Sequence, residues 1–216
     1  MEHDWKDGAR QQFDSWAEGY EGSLLQQVLF KPAHDALLVE VQRRDARRVL
    51  DIGCGTGVFG RRAVQLCPRC EVNGLDISEE MIRIAREKSA EFKRVSFLLG
   101  DSERLPFESG TFDCVTCSHS FHHYPHPLKV LQEMRRVLAP GGVALIVDGN
   151  PTDLLGFFIF EIIVRLYEGW RVHHLSQGDF VALLRAAGFQ SPKFRRLHGP
   201  APLVLPLVLV IGQVAP

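Results

Sequence analysis

Residues 48–60 (RVLDIGCGTGVFG) constrain this chain more than any other stretch. Val49, Leu50 and Ile52 form an apolar run suited to a buried strand. Gly53, Gly55 and Gly57 then alternate, and helical patterning follows. The physical reading is strand, glycine turn, helix. Glycine accepts backbone angles that other residues resist, and its missing side chain lets a ligand approach the main chain. Such a turn typically opens a nucleotide site at the carboxyl end of a parallel sheet.

The glycine spacing narrows the ligand. A dinucleotide fingerprint needs a glycine or alanine three residues after the second glycine, and Val58 stands there. Glu71 to Leu75 read as a second strand that Asp76 closes, 25 residues after Asp51. A carboxylate at that tip accepts hydrogen bonds from ribose hydroxyls. A helix cap is the competing role for Asp76, for which Ser78 is better suited.

The stretch Asp51, Gly53, Gly55, Gly57 resembles the first motif of class I methyltransferases that use S-adenosylmethionine (SAM). More residues extend the likeness to the type 11, ubiquinone and menaquinone biosynthesis branch. They are Phe13, Asp14, Trp16, Ala17 and Tyr20; Asp76, Ile77, Ser78 and Met81; Asp101 with Leu105-Pro106-Phe107; Thr111-Phe112-Asp113; and Arg136, Val137 and Leu138 with Pro140-Gly141-Gly142. The resemblance implies one α/β domain with a Rossmann-like seven-stranded sheet, order 3-2-1-4-5-7-6, strand 7 antiparallel, and helices on both faces. It implies SAM as cofactor, giving S-adenosylhomocysteine. The cofactor residues it implies are Asp51, Gly53, Cys54, Gly55, Gly57, Asp76, Ile77, Met81, Asp101, Ser102, Ser118 and Tyr20. For Met81 core packing competes with that role, and for Tyr20 a plain helical cover does.

The expected organisation is a helical cover at 1–45, a cofactor core at 46–150, substrate-lid helices at 151–190 and a terminal hairpin at 191–216. Within the cover, Ser23 to Arg44 read as one helix kinked near Pro32. Arg43, Arg44, Arg47 and Arg48 around Asp45 read as a solvated helix end. Strand four is expected at Phe112 to Ser118. Past its end stand His119, His122, His123 and Tyr124, at the tip that faces the ligand crevice. These groups suit orienting a substrate or taking its proton, with His122 and His123 the candidates for a base. Their spacing carries no metal-ligand signature. Strand five is expected at Val143 to Val147, after the turn Ala139 to Gly142.

The stretch 153–167 is very apolar yet carries Glu161 and Arg165 and is too short to span a bilayer. Substrate lid, dimer face and buried core all fit it. A capped helix at 177–187 and strands at 194–197 and 203–214 complete the chain. Cys67 and Cys70, and Cys114 and Cys117, form two C-x-x-C pairs. The second pair lies in a strand, where residues three apart point to opposite faces, so a shared zinc is disfavoured and reduced thiols are expected.

Net charge is −1 with no basic stripe, which argues against a nucleic-acid partner. The polar, acidic start of the chain does not resemble a targeting segment, so the cytoplasm is the expected compartment. The function that follows is SAM-dependent methyl transfer to a small, apolar molecule. A SAM-binding protein without transfer activity and a nicotinamide oxidoreductase are the alternatives.

Overall fold

The computed structural model describes residues 2–19, 30–151, 156–168, 172, 174–197 and 207–215. The strands are β1 (Arg48–Ile52), β2 (Glu71–Asp76), β3 (Val95–Leu99), β4 (Phe112–Ser118), β5 (Leu138–Gly149), β6 (Gln190–Leu197) and β7 (Leu207–Gln213). They form one sheet in the order β3-β2-β1-β4-β5-β7-β6. The first five are mutually parallel, and β7 runs antiparallel to both β5 and β6. This is the expected sheet, including the hairpin inserted at its end.

Period-2 alternation splits the strands between two cores. Leu50, Ile52, Val115, Cys117, Ala144, Ile146, Val208 and Val210 face one side. They pack there with α5 (Pro127–Val137) and α7 (Gln177–Ala186). Val49, Cys114, Val143, Leu145, Val147, Leu209 and Ile211 face the other, against α2 (Lys31–Arg43) and α3 (Val58–Leu66). Each fully buried Leu or Phe contributes about 1.5–3 kcal/mol. Cys114 and Cys117 fall in different cores, and all five cysteines are free thiols.

Several local expectations are revised. The cover opens with a helix, α1, spanning Glu2–Trp16, and a 3-10 turn at Ala17–Gly19 follows it. Pro32 lies in the first turn of α2, where its missing N–H costs nothing, rather than at a kink. The expected Ser23 helix start lies outside the described residues. Arg43 and Arg44 are not merely solvated: both pair with the buried Glu40, which Arg195 of β6 also reaches. The turn Ala139 to Gly142 survives as an excursion within β5, because Phe112 pairs with Leu138 and then Cys114 with Val143. β6 starts at Gln190, earlier than expected, and 198–206 lie outside the described residues.

The helix α4 (Glu79–Lys88) begins as the sequence indicates, with Ser78 Oγ accepting from Met81 N at 3.1 Å. Asp113 ties β4 to β1: its carboxylate accepts from Arg47 N, Arg48 N and the Arg48 guanidinium. Burial raises its carboxyl, but the Arg48 side chain and the two amides outweigh that and hold it below the usual range. A depressed folded-state carboxyl contributes above the unfolded value of about 4, and the contribution disappears as pH falls through the folded value. Asp113→Asn is therefore expected to cost about 1 kcal/mol at neutral pH. Urea titrations should show that gap closing as pH falls below the ordinary aspartate range; a gap independent of pH would mean the charge contributes nothing.

Candidate active site

The carboxyl ends of β1, β2 and β4 open into a cavity of about 750 Å³, counting its open mouth. Its floor is Ile52, Gly53 and Gly55. One wall is Leu75, Asp76, Ile77 and Met81, and another is Gly100 to Glu103. Ser118, His119, Ser120, His123 and Tyr124 close the far side, and Trp5, Lys6, Ala9 and Phe13 of α1 form the roof. A smaller cavity of about 330 Å³ adjoins it, lined by Phe30, His34, Asp51, Cys54, Thr56 and Val58. Gly53, Gly55 and Ser118 line both, so the glycine turn is the partition between them.

The turn is held from the neighbouring strand. Gly53 N and Cys54 N both donate to Leu75 O, at 2.8 and 3.1 Å. Gly53 has φ +68°, and a Cβ there would lie 2.3 Å from Ser120 Oγ. Gly57 has φ +79° and lines neither cavity; a Cβ on it would strike the Phe97 ring. Its role is packing and starting α3.

Asp76 accepts from Gly55 N at 2.8 Å and from Ser78 N at 3.0 Å. It is 8% exposed, and burial raises its carboxyl against the opposing pull of those amides. It thus fastens the turn to α4 while facing the cavity. Asp51 is buried with Thr116 Oγ1 donating to it at 2.8 Å; burial pushes it up to about 7. Asp101 and Glu103 share Lys6 of α1, whose Nζ is 2.7 Å from Asp101 Oδ2 and 2.8 Å from Glu103 Oε2. The Glu103 side chain is 1% exposed, and its Oε1 has no hydrogen-bond partner among the described residues. Trp5 Nε1 donates to His123 O, Asp14 bonds Ser78 Oγ, and Phe13 packs edge-on to His123. These contacts clamp α1 across the cavity.

His122 points away from this cavity's lining. Its Nδ1 lies 2.6 Å from Asp148 Oδ1, at the end of β5, and its backbone N donates to Asp148 Oδ2 at 3.0 Å. Burial alone would raise Asp148, but His122, with His174 and His119 nearby, pulls it below the usual carboxylate range. His174 stacks on His122, ring centroids 4.7 Å apart. His122, Asp148 and His174 present ligand atoms within 4.8 Å of one another, a donor set that transition metals accept. In this structure two of these atoms, His122 Nδ1 and Asp148 Oδ1, are hydrogen-bonded to each other at 2.6 Å. His123 is held well below its ordinary pKa by burial and by His122, so it stays neutral.

Residues 49–142 match a family model described as a methyltransferase domain. This stretch is a methyltransferase domain. A demethylmenaquinone methyltransferase of Staphylococcus aureus is 39% identical over 127 residues, covering 57% of this chain and 51% of its own. The chain spans about half the length of the curated relatives it matches. A SAM-dependent methyltransferase from Thermotoga maritima superposes with TM-score 0.74 at 25% identity, covering 93% of this chain and 97% of that one. A chain of the Haloferax volcanii complex between the Trm112 activator and a methyltransferase gives TM-score 0.80 at 21% identity, with 96% and 97% covered, and carries the fold alone.

Within this methyltransferase domain Gly53, Gly55, Asp76, Ile77, Met81, Asp101, Ser102 and Ser118 converge on the larger cavity. Asp51 and Cys54 line the smaller one, where the Cys54 thiol also packs on Ile82, Ala85 and Phe97. Met81 lines the cavity and also packs with Ala17, Ile84 and Phe13. Tyr20 lies outside the described residues. Sequence reasoning missed Trp5, Lys6, Asp148 and His174. Asp148 alone had a signal: it ends a strand at the ligand-facing edge.

Lys6→Met removes the cation shared by Asp101 and the buried Glu103, leaving Glu103, among the described residues, with Lys129 at 3.3 Å. A loss of about 1–3 kcal/mol is expected, lowering Tm by about 2–4 °C per kcal/mol. An unchanged melting curve would mean that α1 is not held by this pair.

Proposed function

We propose that the chain transfers the methyl group of SAM to a small, largely apolar molecule. The observation that carries this reading is Asp76, which lines the larger cavity and accepts from Gly55 N of the glycine turn that separates the two cavities. Gly53 bears on the fit: a side chain there would collide with Ser120, which lines the same cavity, so only glycine leaves the turn in place as the cavity floor. In this reading Asp76 accepts from the ribose hydroxyls, Asp101 and Ser102 meet the adenine edge, and Ile77 and Met81 flank the ring. Asp51, Cys54, Gly55 and Ser118 surround the amino-acid half, with Tyr20 assigned to the same cofactor. The sulfonium of SAM makes its methyl carbon electrophilic when bound. The chain's own part is to bind, align and exclude water, which can supply much of a barrier reduction.

We assign residues 46–150 to the cofactor, 1–45 to its cover, 151–190 to the acceptor side and 191–216 to completing the sheet. The π-helical turn Phe157–Val164 continues into α6 (Arg165–Glu168). Phe160 is buried there against the His174 ring. That apolar wall supports an apolar acceptor, as does the substrate in the name of the Staphylococcus aureus relative.

Calorimetry with S-adenosylhomocysteine and with NAD tests the proposal. Micromolar binding of the former, about −8 kcal/mol, is expected, with none for NAD. NAD binding alone would return the chain to the oxidoreductase reading. Cofactor binding without turnover on any acceptor would support a binding protein instead.

A further inference from the structure

We propose that His122, Asp148 and His174 bind a divalent transition-metal ion of the zinc type, and that the ion fastens the segment after β5 to the carboxyl end of the sheet. This goes beyond the methyl-transfer reading and does not depend on it.

The topology assembles the donors from three places. β4 and β5 run parallel with Ser118 opposite Val147, so the turn after β4 meets Asp148 at the end of β5. The Asp148 carboxylate contacts His122 at its ring Nδ1 and its backbone N. His174 arrives from beyond α6 and stacks on His122. One donor atom from each of the three lies within 4.8 Å of the other two. Two imidazoles and a carboxylate suit zinc and its neighbours, whereas magnesium and calcium want oxygen donors. The histidines at 119–123 carry no ligand spacing alone, because Asp148 and His174 stand 26 and 52 positions after His122.

A second observation points to a ligand. The His174 side chain is 1% exposed, yet neither of its ring nitrogens has a hydrogen-bond partner among the described residues. Burying an imidazole in that condition is costly. Packing alone does not account for it, since a leucine could fill the space against Phe160 without the penalty. Glu161 Oε1 lies 3.6 Å from His174 Nδ1, and its other oxygen pairs with Arg165 at 3.0 Å. A carboxylate behind one nitrogen of an imidazole is the usual outer support of a metal ligand. It accepts from Nδ1–H and leaves Nε2 for the ion.

The donors need a small adjustment. Zinc sits about 2.0–2.2 Å from such atoms, which sets tetrahedral donors about 3.3 Å apart. The His122 and Asp148 atoms now in contact at 2.6 Å therefore part by less than about 1 Å, and the proton they share is released. Asp148 and His174 bracket the apolar turn Phe157–Val164 and α6. An ion held at both ends closes that segment into a loop anchored on β4 and β5, and its binding free energy stabilises the loop.

The test uses the untagged full chain, stripped with a chelator, and zinc chloride alone. Competition against a chromogenic chelator should show about one equivalent bound with Kd below about 1 µM. Zinc should raise Tm by about 5 °C or more and slow proteolytic cleavage between residues 148 and 174, and magnesium should do neither. Cobalt should give visible ligand-field bands without a thiolate charge-transfer band, a readout that needs no variant to fold. His174→Gln should weaken zinc about 100-fold or more, and Glu161→Gln about tenfold. Replacing both Cys67 and Cys70 by serine should leave binding unchanged. No zinc bound at about 100 µM, equal protection by magnesium, undiminished binding in His174→Gln, or binding lost with the two thiols would each overturn the proposal. Zinc bound without slower cleavage would overturn the fastening role.

Discussion

Asp76→Ala is expected to weaken S-adenosylhomocysteine binding about a hundredfold or more. A hydrogen bond to a charged group is worth about 1.5–3 kcal/mol, and a ribose offers two hydroxyls. The substitution also removes the acceptor for Gly55 N and Ser78 N. Two amides at the cavity wall then lose their partner and the turn loosens. Asp76→Asn separates the effects: it keeps the shape, but its amide group can turn an N–H toward Gly55 N. Because burial raises this carboxyl, its anchor protonates earlier on acidification than an ordinary aspartate, so affinity should fall on the acid side. Calorimetry on the three proteins, with thermal unfolding beside it, reads binding and stability separately. A loss under about fivefold with an intact fold would place the ribose elsewhere.

Much of this fold was legible because the informative signals are local. A strand, a glycine turn and an acid-tipped second strand are written within residues 48–76, and the sheet order follows from the resemblance those residues carry. The parts that escaped are contacts between residues far apart in the chain. Lys6 finds Asp101 across 95 positions, and Trp5 finds His123 across 118. No periodicity encodes either. The apolar stretch around 157–168 shows a different limit. Ile159, Phe160 and Val164 pack against the sheet, whereas Phe157, Phe158, Ile162 and Leu166 are exposed. Both faces are apolar, so hydropathy cannot say which is covered. The histidines illustrate a third limit. Sequence placed His119, His122 and His123 at the crevice, but only geometry distinguishes the two that line the larger cavity from the one that bonds Asp148.

Gly53→Ala should be strongly damaging for a single added methyl group. At φ +68° an alanine pays about 1–2 kcal/mol in backbone strain. Its Cβ would also sit 2.3 Å from Ser120 Oγ, 2.6 Å from Ser120 Cβ and 3.2 Å from Tyr124 Oη. Ser120 cannot yield freely, because its hydroxyl contacts Ile52 O at 3.3 Å and Tyr124 Oη at 3.0 Å. Overpacking of this kind adds about 1–3 kcal/mol, for a total of about 2–5 kcal/mol in urea denaturation. On the proposed cofactor reading, the displaced turn should also cost at least about tenfold in S-adenosylhomocysteine affinity, since the turn is the floor of the larger cavity. Ser120→Ala cannot relieve the clash, because the Cβ remains. Ser120→Gly can, so the Gly53→Ala, Ser120→Gly pair should recover the packing part and retain the backbone part. Full recovery would mean that the left-handed angle is not required. No recovery would mean that the backbone angle, rather than the contact with Ser120, accounts for the whole loss, so that the left-handed conformation only glycine adopts freely is what sets the floor of the two cavities.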